Sequence, residues 1–304
     1  MTALPRDEAF DDEAFDDEAF DEEAFDDEDL GPATAARDRV AAAVKVLPAV
    51  DLRTMESGAA LLSRIDRKYV VPVATLERLV TELQSRDDWA ALEIDGRRLF
   101  GYESIYFYTP DLATYRAHLQ RRRRRYKVRV RRYVDSGQCM LEVKRKGVRG
   151  LTVKERQPHD VFRRADLGEP GRRFVAEAVG GVGAAGRRLT VADLEPVVTT
   201  TNQRATMTSL VGHARLTVDT DLVCGWDDRH VALRPGYVVL ESKVEGHAAT
   251  VDRLLRSMGE RPVVISKYCL GVASLGLDVP SNPWRRTLRS YFDSCAGPSP
   301  CLTH

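Results

Sequence analysis

No run of apolar residues in this 304-residue chain reaches the length of about 18 that a membrane-spanning helix needs, so the sequence predicts a soluble protein without a transmembrane segment of its own. Cysteine is scarce. Cys139, Cys224, Cys269, Cys295 and Cys301 are odd in number and include no CxxC pair, which argues against a disulfide framework or a structural zinc site and for a reducing, cytoplasmic setting. The six histidines show no paired ligand spacing, so each is expected to pack or to face water. There is no G-x-x-x-x-G-K-[ST] loop, and GVGAAG at 181–186 follows the helical-looking FVAEAV instead of a strand, so it is expected to be a flexible loop. The N-terminus lacks the basic start and apolar core of a secretory signal, and its acids exclude an organellar transit peptide.

Net charge is also absent, because 46 basic residues balance 46 acidic ones. The balance hides a division. Residues 1–30 hold 15 of the acids and one base, Arg6, leaving 45 bases against 31 acids and a net of +14 in the remainder. The acidic part is a pentad repeat, RDEAF, DDEAF, DDEAF, DEEAF and DDEDL. Five residues turn a helix through roughly 500°, so Phe10, Phe15, Phe20 and Phe25 form no stripe, and the charge density predicts a disordered tail over 1–33. Two readings of it stand: a solubilising tail, or a polyanion mimic that competes for the basic surface.

In the basic part, charged side chains recur at every second residue: Lys127, Arg129 and Arg131; Glu142, Lys144 and Lys146; Lys154 and Arg156; Glu241 and Lys243. A strand turns successive side chains to opposite faces, so each set points one way while Val128, Val130, Leu141 and Val143 point the other. A solvated outer face would intersperse both signs; here cations prevail strand after strand, which predicts a phosphate-binding surface. The valines between the cations are not the aromatic platform of a single-strand binder, so no nucleic-acid partner is expected. The run Arg121 to Arg125 is expected to form a basic rim, or merely a solvated loop. Glu142 is expected to pair with its cationic neighbours. Glu241, in VVLESKVE, is the first choice of ligand for a divalent metal bridging phosphate oxygens.

The pattern of elements predicts an α+β domain over 34–292. Helices are expected near 34–47, 72–86, 111–119, 247–259 and 282–292, with a helical insertion at 159–194 and a flexible tail at 293–304. Strands are expected near 63–71, 102–109, 125–134, 138–146, 150–157, 195–201, 213–221, 229–234 and 237–245. Mostly sequential strands suit an antiparallel sheet, and closing it would remove its edges.

SRIDRKY, YESIYFYTPDLATYRAHL, YKVRVRRY, LEVKRK, VKER, NQR, ARLTVDTDL, VVLESK and ISKY follow one another in the order of the VTC-type polyphosphate polymerase domain. Over about residues 60–275 the chain resembles that family, part of the triphosphate tunnel metalloenzyme (CYTH-like) superfamily. The resemblance implies an eight-stranded antiparallel β-barrel whose basic lumen opens at both ends. It implies that Lys127, Arg129, Arg131, Lys144 and Lys267 act on the transferred phosphoryl group, that Lys68, Lys154, Arg204 and Arg215 hold phosphate with Arg156 and Lys243 beside them, and that Glu241 holds Mn²⁺ or Mg²⁺. The implied activity moves the γ-phosphoryl group of ATP onto inorganic polyphosphate, with a membrane-protein partner and a place at the inner membrane face as further implications. A tripolyphosphatase of the same fold and a non-catalytic polyphosphate-binding module are the competing readings. Two positions depart from the family pattern: Asp66 stands where a longer glutamate is commoner, and Tyr108 occupies an aspartate position.

Overall fold

Alternating sequences on one chain can hide both a greasy and a charged face only by curling, and this one does. The computed structural model describes residues 32–57, 64–123, 125–146, 152–180, 193–212, 214–245, 250–277 and 279–296. The acidic repeat, the GVGAAG loop and residues 297–304 lie outside them.

Among the described residues twelve strands form one sheet: β1 (Ala49–Val50), β2 (Arg64–Pro72), β3 (Trp89–Leu92), β4 (Phe100–Tyr108), β5 (Tyr126–Tyr133), β6 (Cys139–Lys146), β7 (Thr152–Pro158), β8 (Glu195–Ser209), β9 (Arg215–Trp226), β10 (Arg229–Leu233), β11 (Tyr237–Glu245) and β12 (Phe292–Ala296). The helices are α1 (Pro32–Lys45), α2 (Leu52–Ser57), α3 (Val73–Gln84), α4 (Ala113–Leu119), α5 (Gly168–Val179), α6 (Thr250–Ser257), α7 (Lys267–Ser274) and α8 (Asn282–Tyr291). None of the described helices is long and apolar enough to cross a membrane.

Eight strands carry the predicted tunnel architecture in the order β7-β6-β5-β4-β8-β9-β11-β2, each antiparallel to its neighbour. Among the described residues β2 and β7 share no ladder, so the curled sheet is not closed. The linker between α6 and α7 covers the β2 edge instead, with Val263 N–H donating to the Lys68 carbonyl at 2.8 Å. Residues 293–296, expected to begin a flexible tail, pair with β10 as part of the edge strand β12.

The convex face is apolar. Val128, Val130, Leu141 and Val143 are fully buried with Val175 and Ala178 of α5, while α1, α3 and α6 cover Tyr69, Val71, Leu216, Val218 and Leu240. The helix expected at 72–86 buries the predicted Leu76, Leu79, Val80 and Leu83.

The concave face is divided. At one end Val70, Tyr106, Val198, Cys224 and Val239 point inward and pack with Tyr268, Cys269, Leu270 and Val272 of α7. That helix therefore occupies one half of the interior, which the expectation of a basic lumen open at both ends did not include. Its approach depends on Gly271, where a Cβ would stand 2.3 Å from Val198 Cγ1. Gly271→Ala is expected to lower the unfolding free energy by about 1–3 kcal/mol through overpacking, measured by denaturant unfolding.

Candidate functional site

In the other half, nine cations and three carboxylates from seven strands and the start of α7 surround a cavity of about 410 Å³. Strand alternation puts them there. Register then sets who meets whom: Lys68 lies across from Glu241, Arg204 across from Asp219, Arg129 across from Glu142, and Lys144 between Lys127 and Lys154.

Each carboxylate gathers its own partners. Glu241 is bracketed by Lys68 and, at 2.8 Å, by Lys243. Glu142, only 2% exposed, accepts from Arg129 Nε at 2.6 Å and pairs with Lys154. Asp219, 3% exposed, takes both arms of the Arg204 fork at 2.6 and 2.8 Å and the Lys267 ammonium at 2.9 Å. Lys127, Arg131 and Lys144 have no carboxylate partner among the described residues. Lys127 donates to the Ser266 hydroxyl at 3.1 Å and stands over the Tyr268 ring, and Arg131 donates to the Ser104 hydroxyl at 3.2 Å and lies over Tyr102. The walls thus carry six more positive than negative charges.

Protonation reflects that excess. Burial, with Lys144, Arg129 and Lys68 nearby, pushes the Lys127 ammonium down to about 8. Burial and Arg204 push Lys267 down to about 8 against the opposing pull of Asp219. Burial likewise lowers Arg131, Lys154 and Lys243. The acids respond oppositely: burial would raise Glu142, but Arg129, Arg131 and Lys154 overcome it and hold the carboxyl at about 2. Glu241 is held well below the usual range, burial again being outweighed by Lys243 and Lys68.

An anion in the cavity favours the charged lysines, so binding takes up protons once the pH passes about 8. Once the ligand's own ionisation is subtracted, affinity for inorganic tripolyphosphate is expected to be level below about pH 7 and to fall above 8 by up to about tenfold per pH unit for each of Lys127 and Lys267, as calorimetry across pH would show.

Ten of the twelve predicted site residues line the cavity: Lys68, Lys127, Arg129, Arg131, Lys144, Lys154, Arg204, Glu241, Lys243 and Lys267. Arg156 and Arg215 lie outside the lining. Arg156 is exposed on β7, and Arg215 is turned away to donate to the Met55 carbonyl at 2.9 Å. Sequence reading missed Asp219, Asn202, Ser266 and the aromatic walls Tyr106 and Tyr268. A period-two count from Arg215 through Thr217 reaches Asp219, so that signal was available. The described part of the arginine run sits at the same end of the sheet as Lys127, the Arg125 carbonyl accepting from Lys146 N–H at 2.9 Å.

Among the described residues no three carboxylate, histidine or cysteine groups converge as an all-protein metal cage. The donor set fits a hard cation that arrives on phosphate oxygens and needs one further carboxylate. Glu241 suits that role better than its neighbours. Both other acids are held by arginine, whereas Glu241 is held only by two lysines, flexible point charges that can turn to an incoming anion.

The architecture is a curled antiparallel sheet around a cation-lined cavity. The chain belongs to the VTC domain family, which matches it over residues 63–276. A search of curated proteins finds no match. Similar solved structures include a candidate adenylate cyclase from Bacillus halodurans, 16% identical with a TM-score of 0.41, covering 67% of this chain and 93% of that one. Another is a candidate adenylyl cyclase from Hippeastrum described as having a dominant triphosphatase activity, 14% identical with a TM-score of 0.42, covering 71% of this chain and 98% of that one.

Proposed function

We propose that this protein is a metal-dependent ATP:polyphosphate phosphotransferase that extends inorganic polyphosphate within the cavity. The observation that carries the reading is the excess of six positive charges in a cavity of about 410 Å³, a demand that a linear phosphate chain meets. Membership in the VTC domain family supports the polymerase over other uses of such a site.

Lys127, Arg129, Arg131, Lys144 and Lys267 stabilise charge spreading over the transferred γ-phosphoryl group, and Lys68, Lys154, Arg204 and Lys243 hold the flanking phosphates. Glu241 would hold Mn²⁺ or Mg²⁺, which supplies Lewis-acid polarisation of the phosphoryl oxygens when bound. The terminal phosphate of the growing chain is already ionised, so its attack needs no protein base; the P–O bond to the γ-phosphorus breaks and ADP leaves. What the chain contributes is alignment and fixed charge.

Incubation of the purified protein with ATP and Mn²⁺ should yield ADP and long polyphosphate on a gel. Release of inorganic phosphate without chain growth would assign the site to a triphosphatase instead.

A further inference from the structure

The Asp219 carboxylate is saturated. Oδ1 accepts from Arg204 Nε at 2.6 Å and from Asn202 Nδ2 at 2.9 Å, while Oδ2 takes Arg204 Nη2 at 2.8 Å and Lys267 Nζ at 2.9 Å. Four donors leave it no oxygen for a cation, although by composition it is as plausible a metal ligand as Glu241. Asn202 adds a second grip, its Oδ1 accepting from Lys267 Nζ at 2.5 Å. The cluster ties β8, β9 and α7 together at the cavity wall, and its two outward groups are both cations.

We infer that Asp219 and Asn202 are positioning residues that aim Arg204 and Lys267 at the phosphoryl chain and keep the Lys267 ammonium charged. The inference rests on the polyphosphate reading of the cavity. Lys267 is faced by Asp219 and Cys224 from β9, by Arg204 and Asn202 from β8, and by Tyr106 from β4. Asp219 is the one carboxylate in that set. The Cys224 thiol, pushed up to about 12 by burial, is neutral near pH 7. Without Asp219, burial and Arg204 would act on Lys267 unopposed, and its proton would be lost at lower pH. Lys127 is held through Ser266 and Tyr268, outside this cluster, and serves as an internal control.

The test is calorimetry of inorganic tripolyphosphate binding from about pH 6 to 9.5 in EDTA, for the parent protein, Asp219→Asn and Asn202→Leu. The ligand's own ionisation is common to all three. In Asp219→Asn one of the two protonation steps near 8 is expected to move down by at least about one pH unit while the Lys127 step stays. Affinity would then be close to the parent's at pH 6, about threefold weaker at pH 7.5 and about tenfold weaker at pH 9. Asn202→Leu keeps the Asp219 charge and stands in should Asp219→Asn fail to fold; its step should move the same way by less. A folded variant that binds with both steps at the parent's pH would overturn the positioning role, since a structural tie would lower stability and leave the steps alone. A parent protein that binds no tripolyphosphate would sink the functional reading itself, and this inference with it.

Discussion

Glu142→Gln is expected to lower the unfolding free energy at pH 7 by about 3 kcal/mol, measured by denaturant unfolding with an unchanged m-value. The carboxyl sits at about 2 in the folded protein against an ordinary value of 4.5, and each pH unit of that difference is worth about 1.4 kcal/mol. Because the folded value is depressed, the stabilisation is complete above 4.5 and is lost as pH falls through about 2. The variant should therefore show a flatter acid limb than the parent. Glutamine cannot neutralise Arg129 and Lys154, so the cavity goes from six to seven uncompensated positive charges. Added tripolyphosphate, binding only the folded form, should restore much of the loss, by about 2.7 kcal/mol at a hundredfold excess over its Kd. A loss below about 0.5 kcal/mol would show that Arg129 and Lys154 relax into water once released.

That expectation states how the cavity is built: three acids hold six of the nine cations in place, and Lys127, Arg131 and Lys144 are left for a guest. Much of this was legible from period two alone. Lys127, Arg129 and Arg131 alternate with Val128 and Val130, and once both faces must be buried or enclosed, a curled sheet follows. The strands with the cleanest alternation, β5 and β11, begin within one residue of where the sequence put them. Where alternation fails, so does the reading. Trp89–Leu92 is buried at all four positions and shows no period, so β3 went unseen. Helix α7 carries Tyr268, Cys269, Leu270, Gly271 and Val272 in succession, all buried, because it lies inside the sheet and has little polar face to mark it. ISKY carries the resemblance and its lysine, yet nothing local says that Lys267 opens a helix inside the sheet. Asp219 was passed over for a related reason: its partners Arg204 and Lys267 are 15 and 48 residues away, and only register brings them together.

Glu241→Gln is expected to cut turnover of ATP by at least about 10²-fold in Mn²⁺ or Mg²⁺, the scale of losing one preorganised electrostatic contact to the transferred group. Binding should respond in the opposite sense. In the free protein Lys68 and Lys243 are occupied by the Glu241 carboxylate. Amide replacement removes their competitor, so metal-free tripolyphosphate is expected to bind as tightly as in the parent or more tightly. Rates of ADP release and calorimetry in EDTA separate the two effects. Turnover left intact would remove Glu241 from the metal site. Loss of binding together with turnover would mean that the carboxylate serves to hold Lys68 and Lys243 in line. The opposed outcome, weaker turnover with undiminished binding, is the one that would set Glu241 apart from Glu142 and Asp219: those two are fixed by arginine forks, while Glu241, held by two lysines, would release them to the phosphate and keep its own oxygens for a metal.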